Sequence, residues 1–163
     1  MRCYLSILLF LLLLAPAKAQ PKYEVRAAWV TAVYGLDWPR TKATTPTAIR
    51  RQQEELTDIL DKLKAANFNT ILFQTRTRGD VLYHSSIEPY NSILTGKVDG
   101  DPGYDPLAFA VRECHKRGME CHAWMVAIPL GNKKHVASLG NKSVTKQRKE
   151  ICIPYKNEYF LNP

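Results

Sequence analysis

The sequence predicts an α/β fold whose elements follow the order β-α-β-α-β, the N-terminal part of a larger sheet. Three observations predict it: three nearly continuous apolar runs of strand length, two intervening segments with apolar residues at helical spacing, and a proline-bearing cap ahead of each segment. Such strands imply a parallel sheet with helical crossovers, either covered on both faces or closed into a barrel. The chain has 163 residues, 45% hydrophobic and 23% charged, an ordinary globular composition with room for one domain. A complete barrel enzyme of roughly 250 residues does not fit this length. The formal charge of +8 and the mixed composition exclude an acidic disordered chain, a collagen-like repeat and a multispan membrane protein.

The elements follow in order. Arg2, the apolar run 4–14, Pro16 and Ala17-Lys18-Ala19 read as a secretory signal peptide cleaved after Ala19. The run is shorter than the roughly 18 apolar residues needed to span a bilayer. The expected domain is therefore 20–163, secreted or periplasmic, with no membrane span once the leader is removed. Residues 25–33 form an apolar, partly β-branched strand, followed by a loop through Tyr34, Asp37, Trp38 and Pro39. Thr45-Pro46 caps a helix in which Ile49, Leu56, Ile59, Leu60, Leu63 and Ala66 share one face, and Asn67 ends it. Residues 70–75 are the second strand, and a Gly-, Asp-, Ser- and Pro-rich loop runs to Tyr104. Asp105-Pro106 caps the second helix, with Leu107, Ala110, Val111 and Cys114 on its apolar face and Gly118 at its stop. Residues 119–128 form the third strand. The segment beyond shows no clear period, and 151–155 with 158–161 reads as a hairpin across Lys156-Asn157.

Most of the net charge of the expected mature chain lies in that unpatterned segment, where Lys133, Lys134, Lys142, Lys146, Arg148 and Lys149 face only Glu150. A basic patch of this kind is ordinarily a solvated surface. It contains no interleaved aromatic residues, which argues against nucleic acid, and an anionic envelope polymer suits a secreted protein better. Cys3 leaves with the leader, and the odd number left, Cys114, Cys121 and Cys152, cannot all pair within one chain. Cys114-His115 and Cys121-His122 do not make a metal site, because Cys121 and His122 point to opposite faces of a strand and Cys114 lies on the buried side of a helix. Buried thiols are expected instead. Asp99-Gly100-Asp101 with Asp105 lacks the spacing and the terminal Glu of a calcium loop. No metal and no cofactor is expected.

Ligands of parallel α/β folds bind beyond the carboxyl ends of the strands. That rule selects Tyr34, Asp37 and Trp38 after the first strand, and Gln74, Arg76, Arg78, Asp80 and Tyr83 after the second. It also selects His122 and Trp124, on one face of the third. Aromatic rings beside Arg, Asp and His suit a carbohydrate. Trp29 reads as core, and Arg76 or Arg78 is a candidate partner for Asp80 in a structural salt bridge. Glycoside hydrolysis uses two carboxyl groups, and Asp37 and Asp80 are the only acids after strand ends that qualify. Nothing in the spacing shows that they face each other, so the catalytic residues stay unassigned.

These residues together carry a family resemblance. Glu24-Val25-Arg26-Ala27-Ala28-Trp29-Val30 and Leu36-Asp37-Trp38-Pro39 resemble the opening of the glycosyl-hydrolase-10-like family, secreted bacterial proteins with a TIM-barrel domain. Gln74-Thr75-Arg76, Gly79-Asp80, Tyr83-His84-Ser85, Leu94-Thr95-Gly96 and Tyr104-Asp105-Pro106-Leu107 continue the match. So do His115-Lys116-Arg117-Gly118, His122-Ala123-Trp124 and Asn162-Pro163. The resemblance implies an incomplete (β/α)8 barrel and hydrolysis of glycosidic bonds, with envelope glycan such as peptidoglycan as substrate. It places Arg76, Asp80, His122 and Trp124 on a sugar cleft, with Asp37 as a further substrate-binding candidate. It also implies that the family's acidic cluster follows a fourth strand, so that this chain alone is inactive. Thr75 and Ala127-Ile128-Pro129-Leu130-Gly131 depart from the family pattern, in which a Val and an Asn-Pro-Tyr-Arg segment are common. The alternative from another class is a small carbohydrate- or envelope-polymer-binding module without catalysis, using the basic segment and surface aromatics.

Overall fold

The computed structural model describes residues 24–163, so the expected signal peptide lies outside the described residues. Strands β1 (Ala27–Val30), β2 (Thr70–Arg76) and β3 (Glu120–Met125) form a parallel sheet in that order. Helix α1 (Pro46–Ala65) links the first pair and α2 (Pro106–Lys116) the second. The expected β-α-β-α-β order is therefore present.

Both crossovers use the same local devices. Thr45 and Asp105 are extended N-caps whose side-chain oxygens accept from the backbone N–H three residues on, with proline in the first turn. Both helices end at a residue in the left-handed region, Asn67 after α1 and Gly118 after α2. There the chain reverses through paired backbone bonds: Phe68 N–H to the Leu63 carbonyl and Asn67 N–H to Lys64, then Met119 N–H to Cys114 and Gly118 N–H to His115. Each reversal aims the chain back along the sheet.

Leu56 and Leu60 of α1 and Phe109, Ala110 and Cys114 of α2 pack on Val30, Ile71 and Phe73 of the sheet. Trp38, expected at the mouth of a loop, is fully buried in this core. Its ring lies 5.5 Å from Phe73, and its indole N–H donates to the Gln52 carbonyl at 2.8 Å. Trp29 departs from expectation in the opposite direction, being 59% exposed. The reason is the period of two along a strand. Among the described residues the two crossover helices cover one sheet face, and Trp29, Leu72 and His122 form a row across the other.

Strand β1 is shorter than the apolar run that predicts it, because side chains take over its ladder. The N–H of Thr31 goes to Asp37 Oδ2 at 2.8 Å. Those of Ala32 and Val33 go to Gln74 Oε1 at 2.9 and 3.0 Å, and the Thr31 hydroxyl donates to the same oxygen at 2.8 Å. One buried carbonyl on β2 thus receives three donors from the end of β1 and the loop that follows.

The loop 77–104 is held by a buried ion pair. Arg76 Nη2 and Nε meet Glu88 Oε1 and Oε2 at 2.6 and 2.7 Å, with the two side chains 6% and 9% exposed. Arg76 Nη1 donates to the Val126 and Ala127 carbonyls, fastening the exit of β3 to the same point. Leu82 and Leu94 bury the rest of the loop in the main core.

The basic segment, unpatterned in the sequence, forms a second unit. Strands β4 (Pro129–Asn132), β5 (Cys152–Tyr155) and β6 (Glu158–Leu161) make an antiparallel sheet in the order β4-β6-β5. The expected hairpin is β5–β6, turning at Lys156 with φ of 53°. Short helices α3 (Lys133–Ser138) and α4 (Val144–Gln147) pack beside it over a small core of Leu130, Val136 and Val144. Among the described residues no helix is long and apolar enough to cross a membrane.

Two outcomes test these joints. Gln74→Met keeps side-chain length but strands three donors, and should lower the unfolding free energy by about 3 kcal/mol in urea titration. Glu88→Ala leaves a buried guanidinium unpaired and should cost about 3–5 kcal/mol, whereas the double change Arg76→Met/Glu88→Met should restore most of that loss.

Candidate functional site

A cleft of about 330 Å³ opens where β1 and β2 end at their carboxyl termini. One wall is the loop after β1, with Tyr34 at its lip, and the floor is the turn Thr77-Arg78-Gly79-Asp80 after β2. Asn91, Ser92 and Ile93 of the long loop, Lys42, and His135 of α3 complete it.

The turn is built by its sequence. Thr77 N–H donates to the Asp80 carbonyl at 3.1 Å, and Gly79 takes the left-handed φ of 76° that such a reversal needs. The Asp80 carboxylate is thereby buried at the cleft floor, where it accepts from the Thr77 hydroxyl and from the Arg78 N–H at 3.3 Å. Thr77 in turn accepts from the Asn91 amide at 2.9 Å. The run Asn91 to Thr77 to Asp80 is a directed chain of donors ending on a carboxylate.

His135 comes from α3, beside the other sheet. Asn132 caps α3 by accepting the His135 N–H at 2.8 Å, which turns the imidazole back over the cleft. Its Nε2 donates to the Arg78 carbonyl at 2.9 Å and lies 3.6 Å from Asp80 Oδ2. Gly131 makes this approach possible: with φ of 94°, a Cβ there would lie 2.8 Å from His135 Cδ2. Lys42 Nζ donates to the Ile93 carbonyl at 2.7 Å, and partial burial lowers its pKa from the usual lysine value. Arg78 is exposed at the rim, and Tyr34 presents its ring with 79% exposure. The cleft therefore combines a carboxylate acceptor, three nitrogen donors and an aromatic lip, a set suited to a hydroxylated ligand.

The five residues expected from the sequence fall in four places. Asp80 is in the cleft. Arg76 lies one strand position away from it, held by Glu88 and two carbonyls, at the edge of a separate apolar cavity of about 330 Å³ beside Val144 and Leu161. Arg76 is taken by Glu88, and the side chain beside the Asp80 carboxylate is the His135 imidazole, 3.6 Å away. Asp37 caps the Thr31 N–H and borders a shallow depression of about 170 Å³ along α1 with Arg40, Glu55 and Asp58. Asp37 and Asp80 thus open onto different depressions. His122 and Trp124 share the sheet face away from the helices, His122 Nε2 at 2.9 Å from Glu120 and the Trp124 ring edge-on to Trp29 at 4.6 Å.

Lys42, Asn91 and His135 lie outside the strand-end positions that the sequence marks as candidates. The signal that marks His135 is Asn132, an N-cap residue three positions earlier, after a glycine. Lys42 and Asn91 carry no local signal, since long-range packing of loops brings them to the cleft.

Residues 24–163 match the family model described as glycosyl hydrolase-like 10. The chain is 32% identical over 148 residues to a protein of Bacillus subtilis named glycosyl hydrolase YngK, covering 90% of this chain and 28% of that protein. It is 34% identical over 149 residues to glycosyl hydrolase DigH of Escherichia coli K12, covering 87% of this chain and 34% of the relative. A DigH protein of Shigella flexneri matches to the same extent. The chain spans about a third of the length of these curated relatives. With a match across all of the described residues, this chain belongs to the glycosyl hydrolase-like 10 family.

Proposed function

We propose that the chain is the N-terminal portion of a secreted glycoside hydrolase acting on envelope glycan, and that the Asp80 cleft binds the sugar. The observation that carries this reading is the buried Asp80 carboxylate, oriented by Thr77 and Asn91 beside His135 at the carboxyl end of the parallel strands. In this reading the carboxylate accepts a sugar hydroxyl, Arg78 and Lys42 donate to ring substituents, and the exposed Tyr34 ring covers an apolar sugar face. The relatives named as glycosyl hydrolases support the reaction class. Most glycosidases cleave with a pair of carboxyl groups roughly 5–9.5 Å apart. The cleft presents one, so we assign residues 24–163 to binding and the catalytic pair to other parts of the whole protein.

The same reading makes β1, β2 and β3 the first three strands of a (β/α)8 barrel. Helices on one face and the row Trp29, Leu72 and His122 on the other support it, because in such a barrel that row faces the interior. His122 and Trp124 then line the barrel mouth from within, as the sequence expectation has them. Arg76 acts from beneath, by fixing the loop that carries the Asp80 turn.

The test is turnover of purified envelope glycan strands by the full-length protein. Asp80→Asn should lower kcat/KM roughly 10–100-fold, the value of a lost hydrogen bond to a charged group. Unchanged turnover would remove the cleft from the sugar path. Salt-sensitive binding that survives Asp80→Asn and disappears when Lys133, Lys134, Lys146 and Lys149 are neutralised would favour the polymer-binding module instead. Gly131→Ala should displace the His135 imidazole and weaken glycan affinity several-fold. Its altered histidine NMR resonances would separate this local effect from unfolding.

A further inference from the structure

Two of the three cysteines among the described residues lie in one place. Cys114 occupies the third position from the end of α2, and its carbonyl accepts the Met119 N–H at 3.0 Å as the chain reverses at Gly118. That reversal brings the chain straight into β3. Met119 and Cys121, two apart, both face the main core, where Cys114 and Met119 are buried and Cys121 packs against them. Cys114 and Cys121 thus pack into the same core from adjoining elements, where each thiol shifts the other's pKa, Cys114 upward with burial adding to it and Cys121 downward. Cys152 belongs to the smaller core, with its sulfur 3.4 Å from the Arg148 carbonyl. The three cysteines among the described residues therefore divide into a pair and a single thiol.

We propose that Cys114 and Cys121 form an intrachain disulfide tying the last turn of α2 to the start of β3. The oxidant is a low-molecular-weight or protein disulfide. The partly exposed Cys121 thiolate attacks one sulfur of that disulfide, forming a mixed disulfide and expelling a thiolate. Cys114 then loses its proton and attacks the Cys121 sulfur, closing the protein bond and releasing the second thiolate. Two protein thiols are oxidised, one external disulfide is reduced to two thiols, and the two protons go to the expelled thiolates. The closed loop is short, and it joins two elements that already pack together, so the bond restrains the unfolded chain.

The experiment is disulfide mapping of the wild-type chain equilibrated with a mixture of reduced and oxidised glutathione, then alkylated and digested without reduction. The expected result is a linked pair of peptides carrying Cys114 and Cys121, with Cys152 alkylated. Alkylation of all three cysteines, or a link that includes Cys152, would overturn the proposal. Reduction should lower Tm of the oxidised chain by about 5–10 °C. Cys121→Ser should remove that dependence on reductant, and an equal drop in wild type and variant would also count against the bond. The mapping needs no variant, so it decides the question even where the substitution impairs folding.

Discussion

The arrangement depends on what the end of β2 does with its side chains. Gln74 offers one carbonyl oxygen to three donors from the end of β1, which stops that strand and sets the course of the loop that walls the cleft. Two residues later, Arg76 spends its guanidinium on Glu88 and on two carbonyls after β3. Four further residues bring Asp80 to the cleft floor. Between Gln74 and Arg76 the register with β3 shifts, so that the strand's alternation is broken just where these roles change. A central strand with a neighbour on each side is the one element that can hold both loops at once.

That economy explains why the main framework was legible in the sequence and much of the cleft was not. Thr45-Pro46 and Asp105-Pro106 announce helix starts, Asn67 and Gly118 announce stops, and the apolar face of α1 is written at its own spacing. These are local signals, and the elements formed where they pointed. The Lys156-Asn157 hairpin was equally local. Strand ends were not, because the donors just past β1 go to Gln74 and Asp37, partners 41 to 43 and six positions away, respectively. β4 carries no sequence signal, because a glycine, a proline and two short helices have no period. Its identity comes from pairing with β6.

The charged candidates show the same division. Asp80 follows from being in a tight turn after a strand. Arg76 and Asp37 also follow strands, yet their charges answer the backbone and Glu88, and sequence adjacency does not reveal which of several nearby charges turns inward. The aromatic residues exchange places for a related reason. Trp38 lies beside a polar loop but has the whole of Gln52 and Phe73 to pack on, whereas Trp29 sits within an apolar run on the sheet face that the helices do not cover. Membership of a strand is visible in the sequence. The face that ends up covered depends on where the crossovers lie.

His135 reaches the cleft from α3, whose anchorage is the small core of Leu130, Val136 and Val144, while Asp80 is anchored beside a core of thirteen buried residues. The two sides of the cleft therefore belong to packing units of very different depth. Free energy for local opening follows the apolar area that each unit hides, so backbone amides of α3 exchange with solvent before those of β2. The imidazole side of the cleft is the compliant jaw, and the carboxylate side is the anvil.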